Sequence, residues 1–509
     1  MQITATHIDG WARTKEAQGS LPRLVRRLLY ASGLVRQGSF PAGDSTSLPG
    51  WDGELLTEEG NPWIPRGKSF WEFSCEGRVT NKANRDYDKR TQATPEDVRQ
   101  RATFVFVSAR RWSAKAEWLK DKRTKGHWAD VRAYDAVDLE QWLEQSPAVA
   151  LQFAEELGLV GPGVVSVAKF WTIWSQQSDP PISIEAMFTG REEARTHLVD
   201  NVRRRINTYY PKPYVVRADS VEEAVAFVCA ALLDHEDLSA SSVVVTETNG
   251  WRFVHQNPTL RVAVAGRTEI AEAPTLRNGL VVIIPHAAGD VDAHDAGDAP
   301  ADQSSCLRLE RPRIHDFEKA LVSMGIGESD ARRLAVSAGR SWSVFRRRRA
   351  TNPAICKPTW LEVPQAAALS TVCLLGAWSA NRDADRTHVE RLSGRDYEEV
   401  ERDLQYLATL DDAPVVRIGD VWKAKAPLEL LDLFGPRITR DEIDRFFAIA
   451  RDVLLAPAPE LDLPKDQRFA APIYGKVRPE SGLLIRSLCD TLVKLAVRSP
   501  RALKLADIE

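Results

Sequence analysis

The chain has 509 residues, enough for about three domains. Apolar residues make up 43% and charged residues 27%, which is ordinary globular usage and excludes a disordered, collagen-like or coiled-coil chain. A formal net charge of −3 excludes a uniformly basic nucleic-acid coat, so any electropositive surface must be local.

The 6 cysteines (Cys75, Cys229, Cys306, Cys356, Cys373 and Cys489) are scattered singly, without CxxC or zinc-type Cys/His spacing. Free thiols fit a reducing compartment, and the expected location is the cytoplasm. The start MQITATHIDGWARTK lacks the apolar core of a signal peptide. The most apolar stretch, 363–378, contains Gln365 and Ser370 and is too short to span a bilayer, so no membrane partner is expected.

In chain order, LPRLVRRLLYA (21–31) has helical period, with Pro22 suited to a first turn. GWDGELLT (50–57) and SFWEFSC (69–75) read as a strand pair joined by the turn-rich EEGNPWIPRG. ANRDYDKRT (83–91) is polar and helical, TFVFVSAR (103–110) a buried strand, and SAKAEWLKDKR (113–123) a helix. VRAYD (131–135) and AVDLEQWLEQS (136–146) close an α-β-β-α-β-α-β-α series. Next, YVVRA (214–218) leads into SVEEAVAFVCAALL (220–233). SVVVTE, LRVAVAG and GLVVIIP are short apolar runs suited to a parallel sheet covered on both faces. Residues 314–339 read as helices, and 360–430 as a small helical module ending in the hairpin APVVRIGDVWKAKAP. The remainder is helical. Breaks at VGPGVVS, NPAICKP and FGPRITRDE give five expected regions: 1–160, 165–305, 306–352, 356–433 and 434–509. The expected fold class is α/β throughout the first two.

The first region holds a constellation of acids. Asp52 lies in the first strand of the hairpin and Glu72 in the second. Period-2 alternation puts Trp71, Phe73 and Cys75 on the core face, leaving Phe70, Glu72 and Ser74 on a less apolar side. Two carboxylates on adjacent strands suit Mg²⁺ or Mn²⁺, hard cations that prefer oxygen and keep several waters. Lys82, at the start of the next helix, could stabilise charge on a scissile phosphate. The plain alternative is a solvated or ion-paired acid pair. Between Arg78 and Arg132 there are 15 Lys/Arg against 7 Asp/Glu, a local excess of 8 positive charges. Arg78, Arg85, Lys89, Arg90, Arg110 and Arg111 are therefore candidate phosphate contacts, unless they form only a solvated face. Trp112 and Trp128 could stack on bases. Trp118 and Trp142, at helical spacing with Leu119, Leu139 and Leu143, read as core.

The order Asp, about 20 residues, Glu-x-Ser, then Lys resembles the PD-(D/E)xK restriction-endonuclease-like fold, and particularly its Mrr-like branch. In that family a Lys stands two residues after the acid, where this chain has Ser74. Lys82 would serve in its stead, as in members whose lysine has moved to the neighbouring helix. The resemblance implies a metal-dependent DNA endonuclease with Asp52, Glu72 and Lys82 as its site.

MFTGREEARTHLVDNVRRRI (187–206) resembles the opening motif of STAND-type AAA+ NTPases. There the next strand should run into a phosphate loop. Here YVVRA is followed by Asp219, Ser220, Val221, Glu222, Glu223 and Ala224, with no Gly or Lys. A phosphate cradle needs free N–H groups and positive charge, so ATP is not an expected cofactor. Residues 317–348 resemble the helical lid that follows such a core. Arg346–Arg349 are either phosphate contacts or a basic helix end favoured by the dipole. His286, Asp290, Asp292, His294 and Asp295 are metal-ligand types set in an Ala/Gly/Asp loop that reads as solvated. Residues 360–430 resemble a winged helix. The would-be recognition helix carries Asp396, Glu398, Glu399, Glu401 and Asp403 against Arg402, so it is expected to pack within the protein rather than on DNA.

The whole resembles bacterial anti-phage defence proteins that join an Mrr-like nuclease to a degenerate STAND-like core. DNA is the implied partner. Other defence subunits, a phage-derived trigger and further copies of the chain are possible partners. The alternative is a catalytically silent nucleic-acid-binding or scaffold subunit.

Overall fold

The structure is a computed structural model. It describes residues 3–43, 50–159, 161, 163–208, 212–268, 270, 276–288, 306–468 and 477–498. The protein is α/β, with a 5-stranded and a 6-stranded mixed sheet plus helices. It divides into two compact units. One comprises Met1–Ile173, Thr196–Tyr214 and Val225–Ile284; the other comprises Trp174–Arg195, Val215–Ala224 and Pro285–Glu509.

The chain opens with α1 (Ala5–Trp11), α2 (Lys15–Ala31) and β1 (Val35–Ser39). Then come β2 (Gly53–Thr57), β3 (Gly67–Ser74), α3 (Val79–Ala93), α4 (Glu96–Arg99) and β4 (Ala102–Ser108). α5 (Lys115–Lys125), β5 (Asp130–Tyr134), α6 (Ala136–Gln145) and α7 (Pro147–Glu156) follow. The first sheet runs β1-β2-β3-β4-β5. β1, β2 and β3 pair antiparallel, whereas β3, β4 and β5 pair parallel, with Glu72 opposite Phe106. β4 (ATFVFVS) is buried at every residue because helices cover both faces. α6 is started by a capping box between Asp135 and Asp138.

Three local expectations change. Pro22 sits inside α2 rather than in its first turn. A further strand, β1, joins the sheet edge. Asp52 lies in a bend just before β2 instead of in the strand.

The expected less apolar side of β3 is also buried, since every residue from Ser69 to Ser74 is buried. Trp71 and Phe73 join one core with Leu24, Leu28, Val105 and Leu139. Phe70 joins a second core with Val79, Ala83, Tyr87, Phe104 and Trp118. Glu72 therefore points into a face roofed by α3.

The second sheet draws on β6 (Val164–Ser166), β7 (Tyr214–Ala218), β8 (Ser242–Val245), β9 (Val262–Ala265), β10 (Val281–Ala287) and β11 (Cys306–Arg308), in the order β11-β7-β10-β9-β8-β6. β8 pairs parallel with β9, β9 with β10 and β11 with β7, while β6 runs antiparallel to β8. α8 (Val167–Ser175), α9 (Ile184–Phe188), α10 (Glu192–Asn207), α11 (Val221–Leu233), α12 (Glu236–Ser239) and α13 (Gly250–Gln256) intervene. Most of the Asp-rich loop, including Asp290, Asp292, His294 and Asp295, lies outside the described residues.

The chain continues through α14 (Ile314–Ser323), α15 (Glu328–Ser337), α16 (Trp342–Arg348) and α17 (Leu369–Leu375) to β12 (Ala377–Ser379), α18 (Asp383–Ser393) and α19 (Tyr397–Thr409). β13 (Val415–Ile418) and β14 (Val421–Ala424) form the expected hairpin, with β12 added against β14. Gly419, at φ 60°, supplies the left-handed turn residue. α20 (Pro427–Phe434), α21 (Arg440–Leu454) and α22 (Gly482–Arg498) share one core with α17–α19 around Trp360, Trp378 and Trp422. Among the described residues, no helix is long and apolar enough to cross a membrane.

Candidate functional site

The turn before β2 is wedged against β3 by two contacts and tied to α3 by a third. Trp51 stacks on Phe70, with ring centroids 4.6 Å apart. Asp52 Oδ2 accepts the backbone N–H of Phe73 at 2.9 Å. The Gly50 carbonyl accepts from the Arg90 guanidinium. These contacts hold Asp52 beside Glu72 on β3.

α3 supplies the other charged groups. Its buried stripe is only Val79, Ala83, Asp86 and Tyr87. Polar bonds make up the difference. The indole N–H groups of Trp112, Trp118 and Trp128 donate to Thr80, Asn84 and Thr91, at 2.9, 3.0 and 3.0 Å. With that flank tied to the indoles, the helix turns Lys82, Asp86 and Arg90, spaced four apart, toward the acids. Arg90 Nε donates to Glu72 Oε1 at 2.5 Å, and its guanidinium lies 4.5 Å from the Trp51 ring centroid. Lys82 Nζ donates to Asp86 Oδ1 at 3.0 Å. Asp86 Oδ2 is buried and accepts no hydrogen bond among the described residues.

The electrostatics tie these groups into one cluster. Burial pushes the Glu72 carboxyl up to about 8, helped by the Asp52 and Asp86 charges and opposed by Arg90. Burial also raises Asp52. The Phe73 N–H, Arg90 and Lys82 oppose that rise, and Asp86 adds to it. The structure thus brings all three predicted residues, Asp52, Glu72 and Lys82, into one field, and adds Asp86 and Arg90. The signal for those two was the spacing 82, 86, 90, which places them on one side of a helix.

The donor set suits a hard cation in kind. Asp52 and Glu72 offer carboxylate oxygens, and Asp86 Oδ2 is a buried acceptor with no donor among the described residues. No group of three or more His, Cys, Asp or Glu residues among those described is arranged to hold a metal ion. A cation here would be held by the Asp52–Glu72 pair and water.

The basic residues separate into two kinds. Arg78 and Lys89 are exposed. Arg85 is exposed but paired with Glu76 at 2.7 Å. Arg111 donates to Thr6 Oγ1 at 2.8 Å, and Arg110 turns inward to the Asp9 carbonyl at 3.1 Å. Arg90 is committed to Glu72 and the Gly50 carbonyl rather than to the surface. Trp112 and Trp128, read as base-stacking candidates, are buried like Trp118 and Trp142. The Trp112 ring packs on Trp118 and Phe106, and the Trp128 ring packs on Phe104.

In the second unit, the segment after β7 has its acids claimed. Asp219 pairs with Arg311 at 2.6 Å, Glu223 with the buried Arg191 of the GREE motif at 2.9 Å, and Glu222 with Arg346. Salt bridging to Arg311, with Lys425 nearby, holds the Asp219 carboxyl below its usual range against the opposing effect of burial. The first N–H of α11, from Val221, donates to Asp411 Oδ1 at 2.9 Å. A carboxylate of the same chain thus takes the place of an anion at this helix start. Arg347 pairs with Asp412 and Glu429, Arg348 with Asp432, and Arg349 donates to the Asp179 carbonyl. Arg346–Arg349 are all engaged within the unit.

Comparison with protein-family models and with curated proteins finds no match for this chain.

Proposed function

We propose that residues 1–160 are a metal-dependent DNA endonuclease domain of the restriction-endonuclease-like, Mrr-like kind, acting in anti-phage defence. The observation that carries this reading is the docking of Asp52 onto the Phe73 N–H, beside a Glu72 carboxyl raised to about 8. Two acids forced together under a helix are costly to keep unless a cation is to be shared. The sheet order, with an antiparallel β1-β2-β3 edge and parallel β3-β4-β5, supports the fold assignment.

Asp52 and Glu72 would hold Mg²⁺ or Mn²⁺. The bound ion would polarise the phosphodiester and activate water. Lys82, on the same side of α3, provides positive charge toward the scissile phosphate. Arg78 and Lys89 offer exposed charge for the DNA backbone.

The second sheet and α14–α16 support a degenerate STAND/AAA+-like core with its lid, and α17–α19 with the β13–β14 hairpin support a winged-helix-like module. With Asp219, Glu222 and Glu223 paired to arginines, this core regulates without hydrolysing ATP. Other defence subunits, a phage-derived trigger or further copies of the chain would be its partners.

A second reading, a silent nucleic-acid-binding or scaffold subunit, is favoured by the Arg90–Glu72 ion pair. Incubation with single-stranded, double-stranded and modified DNA, with and without Mg²⁺, separates the two. The nuclease reading expects Mg²⁺-dependent cleavage that is lost in Asp52→Ala. Cleavage unchanged in that variant removes the site assignment, and DNA binding without cleavage favours the scaffold.

A further inference from the structure

The acid pair has a resident counter-cation, and it is not the lysine that the sequence pattern singles out. Lys82 is bonded to Asp86. Arg90 links the three segments that build the site, reaching from α3 to β3 and to the Asp52 turn. Its Nε bonds Glu72 on β3 at 2.5 Å, its terminal nitrogen bonds the Gly50 carbonyl of the Asp52 turn, and its plane lies over Trp51 at 4.5 Å. Its own backbone belongs to α3, which the three indole bonds hold in place. The guanidinium therefore sits where the Asp52–Glu72 pair would meet a cation.

We infer that Arg90 is a positioning residue that holds Glu72 in the metal-free protein and yields that carboxylate when a divalent cation binds. The inference rests on the reading of Asp52 and Glu72 as the cation-holding pair. A guanidinium and a dication compete for the same carboxylate lone pairs and repel each other. Arg90 can yield without leaving the site, because the Gly50 carbonyl and the Trp51 ring still hold its planar head. The arginine side chain is 14% exposed and Glu72 6%, so water reaches the pair mainly from the arginine side. A residue that only riveted the turn would not respond to the ion.

Two measurements on the full chain test this, with Mn²⁺ alone as the probe. The first is phenylglyoxal modification of the wild type, read by peptide mass spectrometry. Saturating Mn²⁺ should raise Arg90 reactivity about threefold or more relative to Arg110, whose inward contact to Asp9 lies outside the acid cluster. The second is calorimetry, in which Arg90→Met should bind Mn²⁺ about tenfold more tightly than wild type. If Mn²⁺ binds wild type but not Asp52→Asn, and neither Arg90 reactivity nor the Arg90→Met affinity changes, the inference fails and the acid-pair reading stands. If wild type binds no Mn²⁺, both fail. Should Arg90→Met not fold, the wild-type modification result decides alone.

Discussion

Replacing Glu72 by Gln should stabilise the metal-free protein, and by an amount that depends on pH. Glu72 rises from 4.5 to about 8 on folding, chiefly through burial and then through Asp52. A raised acid holds its proton more tightly folded than unfolded. Its penalty is absent below about pH 4.5, grows as pH rises through the interval to 8, and is constant above it. At ~1.4 kcal/mol for each pH unit of that interval, the ceiling is about 5 kcal/mol. Relaxation and water entry around the carboxylate reduce this to about 2–3 kcal/mol in practice. Gln keeps the shape and still accepts from Arg90, so it stands in for the protonated acid. Urea unfolding in chelator, followed by tryptophan fluorescence at pH 5, 7 and 9, reads the effect. The probe is well placed, because 8 of the chain's 15 tryptophans lie before residue 160. The variant should match wild type near pH 5 and exceed it increasingly toward pH 9. A constant gap, or a variant weaker at every pH, would refute the claim that Glu72 is held against its own ionisation.

Two further outcomes are expected. Arg347→Ala removes a cation whose side chain is 9% exposed and leaves the Glu429 and Asp412 carboxylates without it. The loss should be about 3–5 kcal/mol, read as a lower melting temperature and partly restored by adding Glu429→Gln. A loss under about 1 kcal/mol would mean that water already screens the pair. Trp118→Phe keeps the ring but removes the N–H bonded to Asn84. It should cost about 1 kcal/mol and speed amide exchange within α3. Unchanged exchange would show that this bond does not hold the helix.

Much of the first sheet was legible, because the apolar runs of β3 and β4 and the turn residues between β2 and β3 act locally. The burial of each strand face was not legible. The period-2 rule assigns Glu72 to a wetter side, yet a central strand paired parallel on one flank and roofed by helices has no wet side. β1 escaped notice because VRQGS is half-exposed edge sequence without an apolar alternation. Asp86 and Arg90 were hidden in a run that charge counting reads as solvated surface. Trp112 and Trp128 were open to a stacking role only because nothing local reveals that their N–H groups have partners on α3. In the second unit, the absence of a phosphate loop was plain from Asp219 to Ala224. The arginines that neutralise those acids come from sequence positions too remote to pair by inspection.

Glu72, the inward charges and the tryptophan N–H groups all meet at α3. A helix this polar cannot be fixed by its short apolar stripe alone, and apolar contact constrains rotation about a helix axis only loosely. A hydrogen bond is directional. Three indole N–H groups, meeting Thr80, Asn84 and Thr91, fix that rotation. Rotation is what matters to the site: a turn by one residue, about 100°, would carry Lys82, Asp86 and Arg90 away from Glu72. The tryptophans thus act on the acid cluster through the helix. They account for a charged helix facing inward where composition alone would turn it to water.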